Sequence, residues 1–149
     1  IEKLYKEEIS LSFALIPLYE KKGQLPWPID GRIVTSFGIQ KHPQFKTSTK
    51  NNGLVISAQP NMVIKAIHLG VIVYCDYFQG YGNLIIIDHG ISYYSLYGYC
   101  SEFLVKKGDI VKEKDPLAVV GDIGSLKGTA LYFEIRSKAK PLNPLQWLK

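Results

Sequence analysis

Beyond residue 31 the chain is written almost wholly in short β-forming runs. "RIVTSFG", "NGLVISA", "MVIKAIHLGVIVYCDYF", "NLIIIDHG", "SYYSLYGYC", "PLAVVG" and "ALYFEIR" are rich in Val, Ile, Tyr and Phe and are separated by Gly, Asn and Asp. β-Branched and aromatic residues suit a pleated, half-buried surface, and the residues between them supply turns. No long helix-period pattern interrupts the series, so the core has to come from short strands packed as a sandwich or closed as a barrel. With 149 residues, 46% of them apolar, the chain is long enough for one domain with a proper core and a modest appendage.

The first 23 residues read differently. Leu4, Glu8, Leu11 and Leu15 recur at intervals of three to four, which predicts a helix that Pro17 ends near Ile16. So short a helix is marginal alone in water, so it is expected to be an arm, or the end of a coiled coil continuing upstream. Residues 1–23 are therefore set apart from a β domain over 24–149. In "GQLPWPIDG", Pro26 and Pro28 hold the backbone extended around Trp27, an apolar anchor for the entry strand. At the other end, Leu145, Trp147 and Leu148 of "KPLNPLQWLK" are expected to cover one end of the sheet.

The net charge is +5, with lysines dispersed in short clusters at 21–22, 106–107 and 112–114. That is not a nucleic-acid stripe, and no nucleic-acid-binding motif accompanies it, so no nucleic-acid partner is expected. No run of about 18 apolar residues is present to span a bilayer as a helix. Cys75 and Cys100 lie in apolar runs without a CxxC pair; they read as small buried side chains, and their spacing leaves a disulfide open. His42, His68 and His89 show no ligand spacing among themselves. His89, in Asp-His-Gly, is expected to face solvent or bond a turn, and His68 to sit in a strand.

The order of motifs carries a resemblance. Val34-Thr35-Ser36-Phe37-Gly38, His42-Pro43, Gly70-Val71-Ile72-Val73, "GYGNLIIIDHG" over 80–90, "SLYGYCS" over 95–101, "VKKGDIVKEKDPLAVVG" over 105–121 and "LYFEIR" over 131–136 resemble the LytM, lysostaphin-like, zinc peptidase domain across roughly residues 29–149. The resemblance implies an antiparallel β-sandwich, so the fold expected is all-β with a short N-terminal helical segment. It also implies a zinc held by an HxxxD pair and the second His of HxH, helped by the first His of HxH and the His of YxH. Here those positions fall on Asn51 and Val55, on Ala130 and Tyr132, and on Tyr99. Val and Ala offer no lone pair, an amide is a poor ligand and a neutral phenol is rarely used, so no metal or other cofactor is expected and no hydrolysis by this route.

Period-two alternation places Ser95, Tyr97 and Tyr99 on one face of a strand, and Ala130, Tyr132 and Glu134 on one face of another. If the LytM architecture holds, the vacated cleft becomes an apolar and aromatic groove bounded by Asn51, Val55, Tyr97, Tyr99, Ala130, Tyr132 and Glu134, suited to a partner's amphipathic helix. The competing reading is that the tyrosines fill the vacated space as core.

"LPWP" after a helical segment further resembles the EnvC-type murein hydrolase activators. That resemblance implies a periplasmic protein that binds and switches on peptidoglycan amidases during cell division. It also implies a division-machinery partner reached through an upstream coiled coil, and a groove masked by a helix until released. An alternative is a non-catalytic peptidoglycan-binding module. Two weaker readings are a biotinyl- or lipoyl-carrier hairpin over 105–121, which lacks the modified-lysine motif, and a hydrolase with unrecognised ligands.

Overall fold

The computed structural model describes residues 17–149 apart from positions 43, 45, 124, 126 and 127. The helix expected over 1–16 and the side chain of His42 lie outside the described part. What is described of the first segment is a single 3-10 turn, Leu18–Lys21, directly after Pro17.

The rest is β structure. In chain order the strands are β1 Arg32–Thr35, β2 Gly38–His42, β3 Thr47–Asn51, β4 Leu54–Ser57, β5 Val63–Lys65, β6 Gly70–Phe78, β7 Gly82–Gly90, β8 Tyr93–Phe103, β9 Ile110–Val111, β10 Pro116–Val120, β11 Ala130–Ser137 and β12 Lys140–Leu142. The main sheet runs β1-β4-β11-β8-β7-β6-β9, antiparallel throughout, while β2 and β3 form a separate two-stranded ribbon. β8 serves two layers: its first half pairs with β11, and its last residues pair with β10, which in turn pairs with β5. The all-β sandwich expected from the pattern is the fold found. "MVIKAIHLGVIVYCDYF" is two strands rather than one, because His68 falls in the bend between β5 and β6.

One face of the sheet carries the core. Leu131, Phe133 and Ile135 of β11, Tyr97 of β8 and Ile85 and Ile87 of β7 are fully buried, joined by Leu117, Ala118 and Val120 of β10 and Ile64 of β5. The two ends of the described chain close it. Leu25 pairs with Leu148, Trp147 and Leu148 are buried, and the Trp27 indole N–H donates to the Lys149 carbonyl at 2.6 Å. Leu145, expected to help cover the sheet, is instead 42% exposed, because the Pro144–Gln146 turn points it outward.

His89 is fully buried in β7 and does not face solvent: Nδ1 lies 2.9 Å from the Leu69 carbonyl and Nε2 lies 2.6 Å from Ser95 Oγ. Its strand simply continues through Gly90, so "DHG" is not a turn here.

Both cysteines are free thiols. The strand order explains it: Cys75 on β6 and Cys100 on β8 flank β7, which separates them by two strand spacings, roughly 10 Å. A disulfide needs Cα atoms closer than about 7 Å. Burial also pushes the Cys100 thiol up to about 12, so almost no thiolate forms there. Protein purified in air and then denatured is expected to titrate two thiols with a chromogenic reagent; finding none would contradict this strand order.

Candidate functional site

The other face of the sheet holds the site. Cross-strand partners share a face, and β11 faces β8 through Tyr132↔Gly98, Glu134↔Leu96 and Arg136↔Tyr94. The register carries on through Leu96↔Ile86 and Ile86↔Tyr74 into β7 and β6. The side chains that result enclose a groove of about 710 Å³, walled by Tyr74, Phe78, Tyr81, Leu84, Ile86, Tyr94 and Leu96, with Arg136 and Lys138 contributing charge. It is apolar and aromatic, with few polar anchors.

Aromatic rings continue from its wall through Tyr81 to Tyr132 and Tyr99, which lie beside the groove rather than in its lining. Tyr74 to Phe78, Phe78 to Tyr81, Tyr81 to Tyr132 and Tyr132 to Tyr99 have centroids 5.9, 5.7, 5.5 and 5.7 Å apart, in tilted or edge-on arrangements that suit ring quadrupoles. Gly98, opposite Tyr132, makes room for this: a Cβ there would stand 2.9 Å from the Tyr81 carbonyl and 3.4 Å from Tyr132 Cβ.

A buried carboxylate organises the polar corner. Glu134 is fully buried; it accepts from the Tyr132 hydroxyl at 2.5 Å and from Arg136 Nε at 2.6 Å. Arg136 Nη1 reaches the Ala139 carbonyl. Burial and then the Glu134 hydrogen bond and charge hold the Tyr132 phenol far above its ordinary value, so it stays protonated. Tyr81 is raised too, first by burial and then by the charge of Glu134. For Arg136, burial alone acts downward, but the bond to Glu134 outweighs it and the guanidinium stays charged. Gly53 lets the loop after β3 close over this corner, since a Cβ there would meet the Phe133 carbonyl at 2.3 Å and Glu134 Cγ at 2.7 Å.

A family comparison decides the kinship. The model of peptidase family M23 matches residues 49–144, close to two thirds of the chain and all of the strands that build the groove. The chain belongs to peptidase family M23.

Within that family this M23 domain is 36% identical over 127 residues to the murein hydrolase activator EnvC of Escherichia coli (strain K12), covering 85% of the chain and 29% of EnvC. It is 36% identical over 123 residues to the murein hydrolase activator NlpD of the same organism, covering 82% of the chain and 30% of NlpD. The chain thus spans just under a third of the length of these relatives. Among solved structures it superposes on a zinc-containing peptidase from Vibrio cholerae with a TM-score of 0.74 and 26% identity, covering 83% of the chain and 40% of the peptidase.

The positions singled out in the sequence divide in two. Val55 on β4 is the register partner of Tyr132, and Tyr99 and Tyr132 meet ring to ring, so these three do converge. Asn51 closes β3, and its amide donates to the Ser36 carbonyl at 3.2 Å. Ala130 is fully buried beside Gly121 and presents no surface. Tyr97 is the correction. It does not share a face with Tyr99; it is wholly buried in the core, 5.4 Å from the Phe133 ring, with its hydroxyl near Ser95. The cause is a bulge: Asn83 pairs with Cys100 but Ile85 with Tyr97, so β8 carries one extra residue. Tyr99 takes that turn at φ +66°, and its N–H goes to the Tyr81 carbonyl. Ser95 follows Tyr97 into the core.

The family implies zinc, and the residues at this M23 domain's ligand positions do not fit it. Val55 has no donor atom, Asn51 offers only a neutral amide oxygen, a poor zinc ligand, and the Tyr132 phenol is held protonated on Glu134. Both Glu134 oxygens are occupied as well. Among the described residues no group of three or more His, Cys, Asp and Glu stands together.

This groove is not the cleft expected from the sequence: none of Asn51, Val55, Tyr97, Tyr99, Ala130, Tyr132 and Glu134 lines it, and the sequence reading missed its walls, Tyr74, Phe78, Tyr81, Leu84, Ile86, Tyr94 and Leu96. Alternation in "NLIIIDHG" and "SYYSLYGYC" contained part of the signal, since Leu84 with Ile86 and Tyr94 with Leu96 are apolar on both alternating sets. A strand apolar on both faces has something to cover on each.

Proposed function

We propose that this domain acts without catalysis, switching on periplasmic peptidoglycan amidases by holding an amphipathic helix of the amidase in its groove. The observation that carries this reading is an apolar, aromatic groove that adjoins, through the Tyr81–Tyr132 ring contact, the positions where the family resemblance would place zinc ligands. Helix-in-groove recognition uses an i, i+3, i+4, i+7 apolar stripe, and a trough of about 710 Å³ walled by Tyr, Phe, Leu and Ile suits one. The two relatives named as murein hydrolase activators support the activator role and a place in the cell envelope. In this reading a division-machinery protein acts through a coiled coil upstream of the β domain.

The test is dye release from labelled sacculi by a purified amidase, with and without the chain. Stimulation by the chain, with no release by the chain alone, is the expected result. Release by the chain alone would overturn the non-catalytic reading. Sedimentation of the chain with sacculi but no stimulation would favour a peptidoglycan-binding module instead.

A further inference from the structure

Behind the groove, on the core side of β8, runs a chain of buried hydrogen bonds that works in one direction only. The Leu69 carbonyl can only accept, so His89 Nδ1 carries the ring proton. Nε2 must then accept, and its partner at 2.6 Å is the Ser95 hydroxyl, which spends its single proton there. Tyr97 OH, 2.8 Å from Ser95 Oγ, therefore donates to Ser95 and accepts from the Ile67 N–H at 3.3 Å. Every group is satisfied, and residues 67 and 69 are both tied to the sheet.

A second proton on His89 breaks the whole sequence. Nε2–H would donate to Ser95, Ser95 would have to donate to Tyr97, and the Tyr97 oxygen would accept from both Ser95 and the Ile67 N–H, leaving its own O–H buried without an acceptor in the chain. Neither end of the chain takes that extra proton, because the Leu69 carbonyl already accepts from Nδ1 and the Ile67 amide is itself a donor. Since His89 is fully buried, the proton also has to enter through an opened form.

We propose that this chain is an acid-sensitive latch: proton uptake at His89 releases residues 67–69 from the back of β8, the strand whose front lines the groove, while Ala66 stays held by its backbone bonds to residues 114 and 115. The titratable groups facing the imidazole are His68 from the 66–69 bend, ring centroids 5.8 Å apart, and Tyr97 from β8. From β6 Gly70 approaches the ring, and the neighbouring Asp88 carboxylate is turned onto the Gly90 N–H. Burial, with His68 adding to it against the bond to Leu69, lowers His89 from 6.5 to about 3 in the closed form. The sign follows: the opened form binds the proton better, so closure is complete above about 6.5 and is lost as pH falls toward about 3. The opening equilibrium shifts by about fivefold over the first pH unit below 6.5 and by nearly tenfold per unit in the middle of that window.

Hydrogen exchange of the Ile67 amide, corrected for its intrinsic rate, reads the latch directly. Between pH 6.5 and 4.5 the opening constant is expected to rise about fiftyfold, while amides of β11 stay protected. In His89→Gln the rise is expected to vanish, and in His68→Gln to persist. A flat profile in the unmodified chain, an equal slope in His89→Gln, loss of the slope in His68→Gln, or a matching rise across β11 would each overturn the proposal. Should His89→Gln fail to fold, the imidazole nitrogen spectrum of the unmodified chain decides. An Nδ1–H tautomer from pH 7 to 5 is expected; an Nε2–H tautomer would refute the direction of the chain.

Discussion

Glu134→Ala is expected to lower the stability of the folded domain by about 2–4 kcal/mol, read as a drop in the urea midpoint with an unchanged slope. The carboxylate is fully buried and accepts from both Tyr132 and Arg136. Removing it strands a half-buried guanidinium and a phenol whose acceptor is gone. Breaking a buried pair from one side costs about 3–5 kcal/mol, and the lower figure applies because the Arg136 side chain is 24% exposed and can turn toward water. Glu134→Gln keeps an acceptor oxygen but not the charge, so it is expected to retain roughly half of that stability. Equal losses in both variants would show that the space filled by the side chain, not the acceptor, is what matters. The same geometry bears on the choice of groove variants. An aspartate at position 132 would set a second carboxylate beside Glu134, so Tyr132→Asp confounds partner binding with charge repulsion.

Ile86→Lys is the cleaner perturbation and is expected to weaken capture of an amidase helix by about thirtyfold, or about 2 kcal/mol, in a fluorescence-anisotropy titration. Ile86 lies mid-groove, between Leu96 and Tyr74 in the register, and is only partly buried in the free domain. A lysine stem can lie along the Tyr74 ring with its amine in water, so the free fold tolerates the change. A docked apolar helix would trap that amine without a partner, which is costly. Loss of amidase stimulation together with an unchanged unfolding midpoint is the outcome that places the partner in the groove. Full stimulation by Ile86→Lys would move the partner elsewhere on the domain.

Much of this domain was legible in its residues, and the part that was not has one cause. Runs of Val, Ile, Tyr and Phe between turn residues dictate an antiparallel β fold, because a pleated surface is where those side chains bury well. The donor chemistry at positions 51, 55 and 132 was equally plain, since no fold gives a valine side chain a lone pair. Even the pairing of Tyr132 with Glu134 on one face followed from period two, and the hydroxyl–carboxylate bond is its result. Tyr97 and Tyr99 show where this kind of reading stops. Alternation gave them one face, but the extra residue in β8 puts one in the core and the other against the Tyr132 ring on the opposite side. His89 is similar: only the approach of the 66–69 bend, distant in sequence, converts it from a residue in a Gly-flanked run to the centre of a buried hydrogen-bond chain. Composition and pattern by themselves determined that the chain is all-β, and the resemblance in motif order pointed to positions 51, 55 and 132, whose side chains are poor metal donors in any fold. Which face each side chain occupies, which residues wall the groove and why the two cysteines stay apart were decided by register, a bulge and strand order, and these are set only when distant segments pair.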